Sequence, residues 1–173
     1  MKQFANGFVN NRVLKLNVGF LLGAGAGHHH EIGFDAPAVR VADDVDLLYV
    51  RGQLRLSRTG EGVLAQGDLH IGLETECYRC LDVVHQDVLV VIEELFAYPD
   101  PNGSEFSITE DGTLDLTPLI RAEALIADDQ GVLCRDLCAG LCPQCGANFN
   151  HEPDHAHEAP IDPRMAKLQE LLK

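Results

Sequence analysis

Basic residues are scarce in this chain: 13 lysines and arginines stand against 27 aspartates and glutamates, a formal charge of −14 over 173 residues. Such an acidic surface repels bare phosphate backbone, which argues against sequence-unspecific nucleic-acid binding by the whole domain and favours a basic partner. No apolar run reaches the roughly 18 residues needed to read as a membrane-spanning helix. There is no phosphate-cradling loop ending in Gly-Lys-Ser/Thr, no nucleophile elbow, no internal repeat and no low-complexity tract. The stretch 13–27 ends on Ala24-Gly25-Ala26, as a signal peptide's cleavage site would. However, Lys15 and Asn17 interrupt its apolar part and the preceding segment is hardly basic, so the cytoplasm is the expected compartment.

What is present suffices for a core, since 46% of the residues are hydrophobic and the length suits one compact domain. Leu48, Val50, Leu54 and Leu56 alternate with Tyr49, Arg51, Gln53 and Arg55, the period of a half-buried strand. After a turn at 58–62, Val63, Ala65, Leu69, Ile71 and Leu73 alternate with polar residues. The two runs predict a long hairpin, with Gly52 and Gly67 at bulges or close approaches. A third strand is expected over 83–96, and strands near 14–22, 31–34 and 39–41 would widen the same antiparallel sheet. The dense loop signal at 99–104 precedes a helical pattern over 115–127, with Asp115 as cap and Gly131 beyond its end. A short helix opening on Asp162-Pro163 is expected toward the C-terminal end. The expected fold is α+β: an antiparallel sheet over 13–98, a loop and packed helix over 99–131, and a zinc-stapled, cysteine-rich segment over 132–173 that folds back on the hairpin tip at Cys77/Cys80.

The six cysteines carry the chemistry. Cys142-Pro143-Gln144-Cys145-Gly146 has the form of a zinc knuckle, and Cys77-Tyr78-Arg79-Cys80 repeats the spacing at a hairpin tip. Two such pairs separated by a folded sheet suggest a ribbon-type site with four thiolates. Cys134 and Cys138 form a third pair, and His155 and His157 add two imidazoles. Six thiols and two imidazoles would fill two tetrahedral sites, so one or two structural zinc ions are expected; the spacing leaves open which ligands share a metal. Neither Cys-x-x-Cys pair opens a helix after a strand, which argues against thioredoxin-like redox chemistry.

Two other patterns resemble known sites without their context. His151-Glu152-Pro153-Asp154-His155 matches a metalloprotease motif, but Pro153 would break the helix that the motif requires. Gly23-Ala24-Gly25-Ala26-Gly27 lacks the third glycine of a dinucleotide loop, position 28 being histidine, and no amphipathic helix follows. His28, His29 and His30 read as a polar loop.

Several segments together resemble one family. Leu16-Asn17-Val18 looks like its opening strand, and Arg51-Gly52-Gln53-Leu54-Arg55-Leu56 with Arg58-Thr59 and Gly62-Val63-Leu64 like its central hairpin. Glu76-Cys77-Tyr78-Arg79-Cys80-Leu81 is similar to its cysteine turn, Ile92-Glu93-Glu94-Leu95-Phe96 to a strand end, and Asp115-Leu116-Thr117-Pro118-Leu119-Ile120 to its helix start. Cys138-Ala139-Gly140-Leu141-Cys142-Pro143-Gln144-Cys145-Gly146-Ala147-Asn148-Phe149-Asn150 and Ile161-Asp162-Pro163-Arg164-Met165 complete the likeness to the YceD family, the large ribosomal RNA subunit accumulation proteins. The resemblance implies a non-enzymatic accessory role in accumulation of large-subunit ribosomal RNA. It also implies contact with a pre-ribosomal large subunit or a basic large-subunit ribosomal protein, with direct RNA contact open. Cysteine-rich members tend to carry Cys-x-Cys where this chain has His155-Ala156-His157, and imidazole can replace thiolate on zinc. Two alternatives stand beside it. A zinc-ribbon nucleic-acid-binding module would gather Arg51, Arg55, Arg58 and Arg79 on one face, and a metal-dependent hydrolase would use Glu152 as base.

Overall fold

The computed structural model describes residues 9–100, 103–104 and 106–157. The helix expected at the C-terminal end lies outside the described residues. Three long strands form the expected meander: β4 (Val45–Arg58), β5 (Gly62–Glu76) and β6 (Val83–Ala97). Before them comes β3 (His29–Ala42), which joins the two short strands expected at 31–34 and 39–41 into one. The main sheet runs β1-β3-β4-β5-β6, where β1 (Val9–Asn10) adds to β3 in parallel and all other pairs are antiparallel.

Segment 14–22 departs from expectation. A 3-10 turn at Asn11–Leu14 leads into β2 (Lys15–Asn17), and a single helical turn, α1 (Gly19–Leu22), follows. β2 does not join the main sheet. It pairs antiparallel with β7 (Thr113–Asp115), where Lys15 meets Asp115 at 3.3 Å. The physical reason lies in its apolar pattern: Leu14, Leu16, Val18 and Leu21 change from a strand period to a helical one within two turns, so they cap the core and do not extend the sheet.

α2 (Thr117–Asp129) starts two residues later than expected: Leu116, not Asp115, holds the cap position and makes no side-chain cap bond, while Asp115 Oδ1 accepts the Thr117 N–H at 2.9 Å, and the helix stops before Gly131 at φ 72°. Its buried stripe of Ile120, Ala124 and Ala127 joins the same core as the inner face of β3–β6, and Arg121 and Asp128 tie the helix to Asp44 and Thr75 at one end of the sheet. Within β4 the alternation is interrupted once. Leu47 pairs with Leu73 but Tyr49 with Gly72, so β4 holds one extra residue and its inward phase moves from Leu54 and Val50 to Leu47 and Val45. Leu48, expected inside, is therefore only half-buried while Leu47 is fully buried.

Gly52 and Gly67 mark a close approach of β4 and β5. They hold φ of 144° and 145°, and a Cβ on either would lie 2.2 Å from a carbonyl oxygen across the ladder, that of Asp68 or Gln53.

Candidate metal centres

The β5–β6 turn supplies the first pair of thiols. Cys77 follows β5, its N–H donating to Asp82 O at 2.8 Å, and Leu81 N–H returns to Cys77 O at 2.9 Å with Leu81 at φ 59°. This tight turn buries both Cys77 and Cys80. The coil after α2 then runs alongside: Tyr78 N–H donates to Val132 O at 2.9 Å, which places Cys134 and Cys138 over the turn.

Cys77, Cys80, Cys134 and Cys138 form one cluster, their sulfurs all within 4.8 Å of one another. Cys77 and Cys138 sulfurs stand 3.7 Å apart, those of Cys80 and Cys134 3.5 Å. A disulfide would need about 2.05 Å, and all six cysteines are free. A tetrahedral zinc with bonds of about 2.3 Å would set its sulfurs about 3.8 Å apart, so this cluster has the required size. Backbone N–H groups face the sulfurs as well. Burial alone would push the Cys77 thiol up, but the N–H groups of Arg79, Cys134 and Cys80 stabilise the thiolate and bring it down to about 6. The Asn150 amide, 3.3 Å from the Cys138 sulfur, lowers that thiol against burial. For Cys80, burial pushes the thiol up.

The second cluster joins Cys142, Cys145, His155 and His157. The knuckle is closed by Cys142 N–H to Ala147 O and Gly146 N–H to Cys142 O, both at 2.8 Å, with Gly146 at φ 77°. Cys145 Sγ lies 3.1 Å from His155 Nε2 and 3.2 Å from His157 Nε2, and the two imidazole nitrogens are 2.9 Å apart. These spacings are roughly half an ångström tighter than the edges of a tetrahedral zinc site. Cys145 and His157 are exposed, so they have room to spread around an ion. The N–H of Gln144 lowers the Cys142 thiol to about 6, with help from Cys145 and His155 and against burial.

The eight expected ligands therefore all reach a cluster, but not in the ribbon pairing. Cys77 and Cys80 meet Cys134 and Cys138, while Cys142 and Cys145 meet the two histidines. The physical reason is reach: the Val132–Cys77 bridge brings the first cysteines of the coil to the turn, and the knuckle lies one loop further on. Either group of four could hold a metal ion.

The metalloprotease pattern dissolves in the same loop. Residues 151–157 form turns, not a helix. His155 faces Cys145 and His157, while His151 turns the other way to within 3.6 Å of Asp82. Glu152 lies 3.6 Å from His155 Nδ1, on the side of the ring away from the nitrogen that faces the cluster. His28, His29 and His30 join neither cluster among the described residues.

Residue-type spacing does not single out three further side chains at the site. Asp82 accepts from Cys80 Sγ at 3.2 Å, and Asn148 Nδ2 donates to both Asp82 oxygens at 3.1 and 3.2 Å. The Cys80 thiol, then Asn148 and His151, hold the Asp82 carboxyl below its ordinary range. Asn150 is the third. Its signal in the sequence was the Asn-Phe-Asn run just after the knuckle.

An acidic sheet protein with two four-ligand sulfur and imidazole clusters at one end is the class these observations define. The model of the YceD family, described as "Large ribosomal RNA subunit accumulation protein YceD", matches residues 65–172, from β5 through both clusters, and the chain belongs to this family. The uncharacterized proteins Rv2926c of Mycobacterium tuberculosis and Mb2951c of Mycobacterium bovis are each 44% identical over 126 residues, 69% of this chain and 60% of theirs. YlbN of Bacillus subtilis, also uncharacterized, is 30% identical over 101 residues, 56% of this chain and 59% of its own. The chain thus spans about 60% of the length of these relatives. No solved structure matches it significantly.

Proposed function

We propose that the protein is a non-catalytic accessory factor for accumulation of large-subunit ribosomal RNA, acting in the bacterial cytoplasm and built around two structural zinc ions. The family match over 65–172 carries this reading, because it covers the sheet edge, α2 and every cluster ligand. The zinc reading is supported by the donor sets: four thiolates, or two thiolates and two imidazoles, suit zinc far better than hard cations. Each cluster offers four protein ligands, as structural sites do, whereas a catalytic site keeps a position open for water. Zinc here would tie the coil to the hairpin and supply no reaction. The free thiols suit a reducing compartment.

The partner is a basic large-subunit ribosomal protein or the pre-ribosomal particle that carries it. β6 is the last strand of the sheet among the described residues, and its outer face mixes Leu89, 53% exposed, and Val91, 69% exposed, with Asp87 and Glu93. An apolar stripe flanked by carboxylates suits an amphipathic basic segment. The competing nucleic-acid reading asks for four arginines on one face, and the strand phases separate them. Arg51 and Arg55 point outward, where Arg51 pairs with Asp35 at 3.2 Å and Arg55 lies opposite Glu31. Arg58 has the inward phase and donates to Gly62 O at 2.8 Å, and Arg79 sits at the other end, donating to Cys138 O at 3.1 Å. The test is the ratio of large- to small-subunit ribosomal RNA in cells depleted of the protein. A selective fall in the large-subunit RNA is expected; an unchanged ratio overturns the reading.

A further inference from the structure

The loop that links the ligands of the second cluster does not serve that cluster alone. Between Cys145 and His155 it sends two asparagines into the surroundings of the first cluster. Asn150 Nδ2 donates to the Cys138 sulfur at 3.3 Å, and Asn150 Oδ1 accepts the N–H of the next residue, Ala139, at 2.9 Å. Asn148 Oδ1 receives both the N–H and the Nδ2 of Asn150 at 2.9 Å, which fixes the amide's orientation. Asn148 Nδ2 in turn holds Asp82, the carboxylate beside Cys80. The backbone follows the same path: Phe149 N–H donates to Gly140 O at 3.0 Å, and Leu141 pairs with Asn148. Two of the four sulfurs of the first cluster are therefore reached from the second cluster's loop, Cys138 directly and Cys80 through Asp82.

We propose that the two metal centres are energetically coupled through Asn150: a metal at the Cys142/Cys145/His155/His157 centre closes the loop that presents this amide to Cys138, and so tightens metal binding at the Cys77/Cys80/Cys134/Cys138 centre. The proposal rests on the reading of both clusters as metal centres. The physical warrant is that a hydrogen bond to a ligating thiolate spreads its charge and fixes its direction, and loss of such a partner lowers metal affinity about 10- to 100-fold. A free loop presents Asn150 only part of the time. Closing it with four ligands removes that conformational freedom before the first centre needs it, which is positive cooperativity, and linkage makes the effect reciprocal. Asn150 is a positioning residue here: it touches a ligand, not the ion.

The experiment titrates the reduced, metal-free full chain with cobalt(II), then displaces cobalt with zinc. A four-thiolate site and a two-thiolate, two-imidazole site give different visible and charge-transfer bands, so each centre is followed separately. His155→Ala with His157→Ala removes the second centre; affinity at the first is expected to fall about 10- to 100-fold. Asn150→Ala alone is expected to cause a similar fall at the first centre and to shift its charge-transfer band. With Asn150→Ala in place, removing the histidines should then have no further effect on the first centre, which closes a double-mutant cycle. Asn150→Asp retains the acceptor for Ala139 but replaces the sulfur donor by a carboxylate oxygen that repels the thiolate, so the fall at the first centre should be at least that of Asn150→Ala. Coupling is overturned if the first centre binds equally well with and without the second, or if the dependence survives in Asn150→Ala. Absence of any thiolate–cobalt band in the unmodified chain would refute the metal reading itself, a result distinct from two bands that fill independently.

Discussion

Stripping the metal should unfold one part of this protein and spare the rest. Segment 132–157 contains neither a helix nor a named strand, and its buried side chains are Cys138 and Cys142, with Leu141 and Cys134 packed against the Cys77 cluster. Fixing backbone costs about 1–2 kcal/mol per residue, so ordering this coil opposes folding by on the order of 30 kcal/mol. Its apolar contacts are far too few to offset that, at about 25 cal/mol per Å² buried. Structural zinc, at about 10–16 kcal/mol per ion in small zinc-folded units, is a term of the right size. The sheet has a separate core running from Leu14 to Ala127, which no cluster ligand joins. Removing the metal with a chelator under reducing conditions is therefore expected to raise amide exchange over 132–157 to nearly that of an unfolded peptide, while β4 and β5 stay protected. Elemental analysis should give two zinc ions per chain, and one after Cys142→Ser with Cys145→Ser. Protection of 132–157 that persists in the metal-free chain, or zinc content unchanged in that variant, refutes the reasoning.

Other consequences follow from the sheet. Gly52→Ala places a methyl 2.2 Å from Asp68 O at a positive φ, so it should cost about 3 kcal/mol or more; a loss under about 1 kcal/mol in urea unfolding would show that the strands part freely. Tyr49 OH and His70 hold the Asp87 carboxyl below its ordinary range. Because its folded value is depressed, the stability it contributes is present above the unfolded carboxylate range and lost as pH falls through the folded value. Asp87→Asn should thus differ from the unmodified chain at neutral pH and converge with it in acid; a gap that stays constant with pH contradicts this. Replacing Leu89 and Val91, both exposed, by threonine, which suits a strand and adds no charge opposite Asp68, should leave the melting temperature nearly unchanged. It should weaken co-sedimentation with large-subunit particles at least tenfold, since each apolar side chain is worth about 1.5–3 kcal/mol when buried. Unaltered co-sedimentation would remove β6 as the docking face.

Local periodicity made much of this molecule legible in the sequence. The β4–β5–β6 meander follows from alternation in Val50–Leu56, Val63–Leu73 and Val88–Ile92, because side chains of a strand point to opposite faces and no distant partner is needed to see it. α2 was marked near both ends, by Asp115 two residues before its first helical residue and by Gly131 beyond its last turn. The thiols and imidazoles were marked by their spacing, since Cys-x-x-Cys and His-x-His each bring two donors within reach of one ion. Segment 14–22 was not legible: its partner, β7, lies about a hundred residues away and has only three residues. Nor was the extra residue in β4, because a bulge changes the phase of an alternation without changing which residues are apolar. The partition of ligands between the clusters and the bond from Asn150 to Cys138 belong wholly to tertiary structure. Spacing along the chain limits which pair can bind a metal together; which pairs then meet is decided by where the β5–β6 turn, the coil at Val132 and the knuckle come to rest against one another.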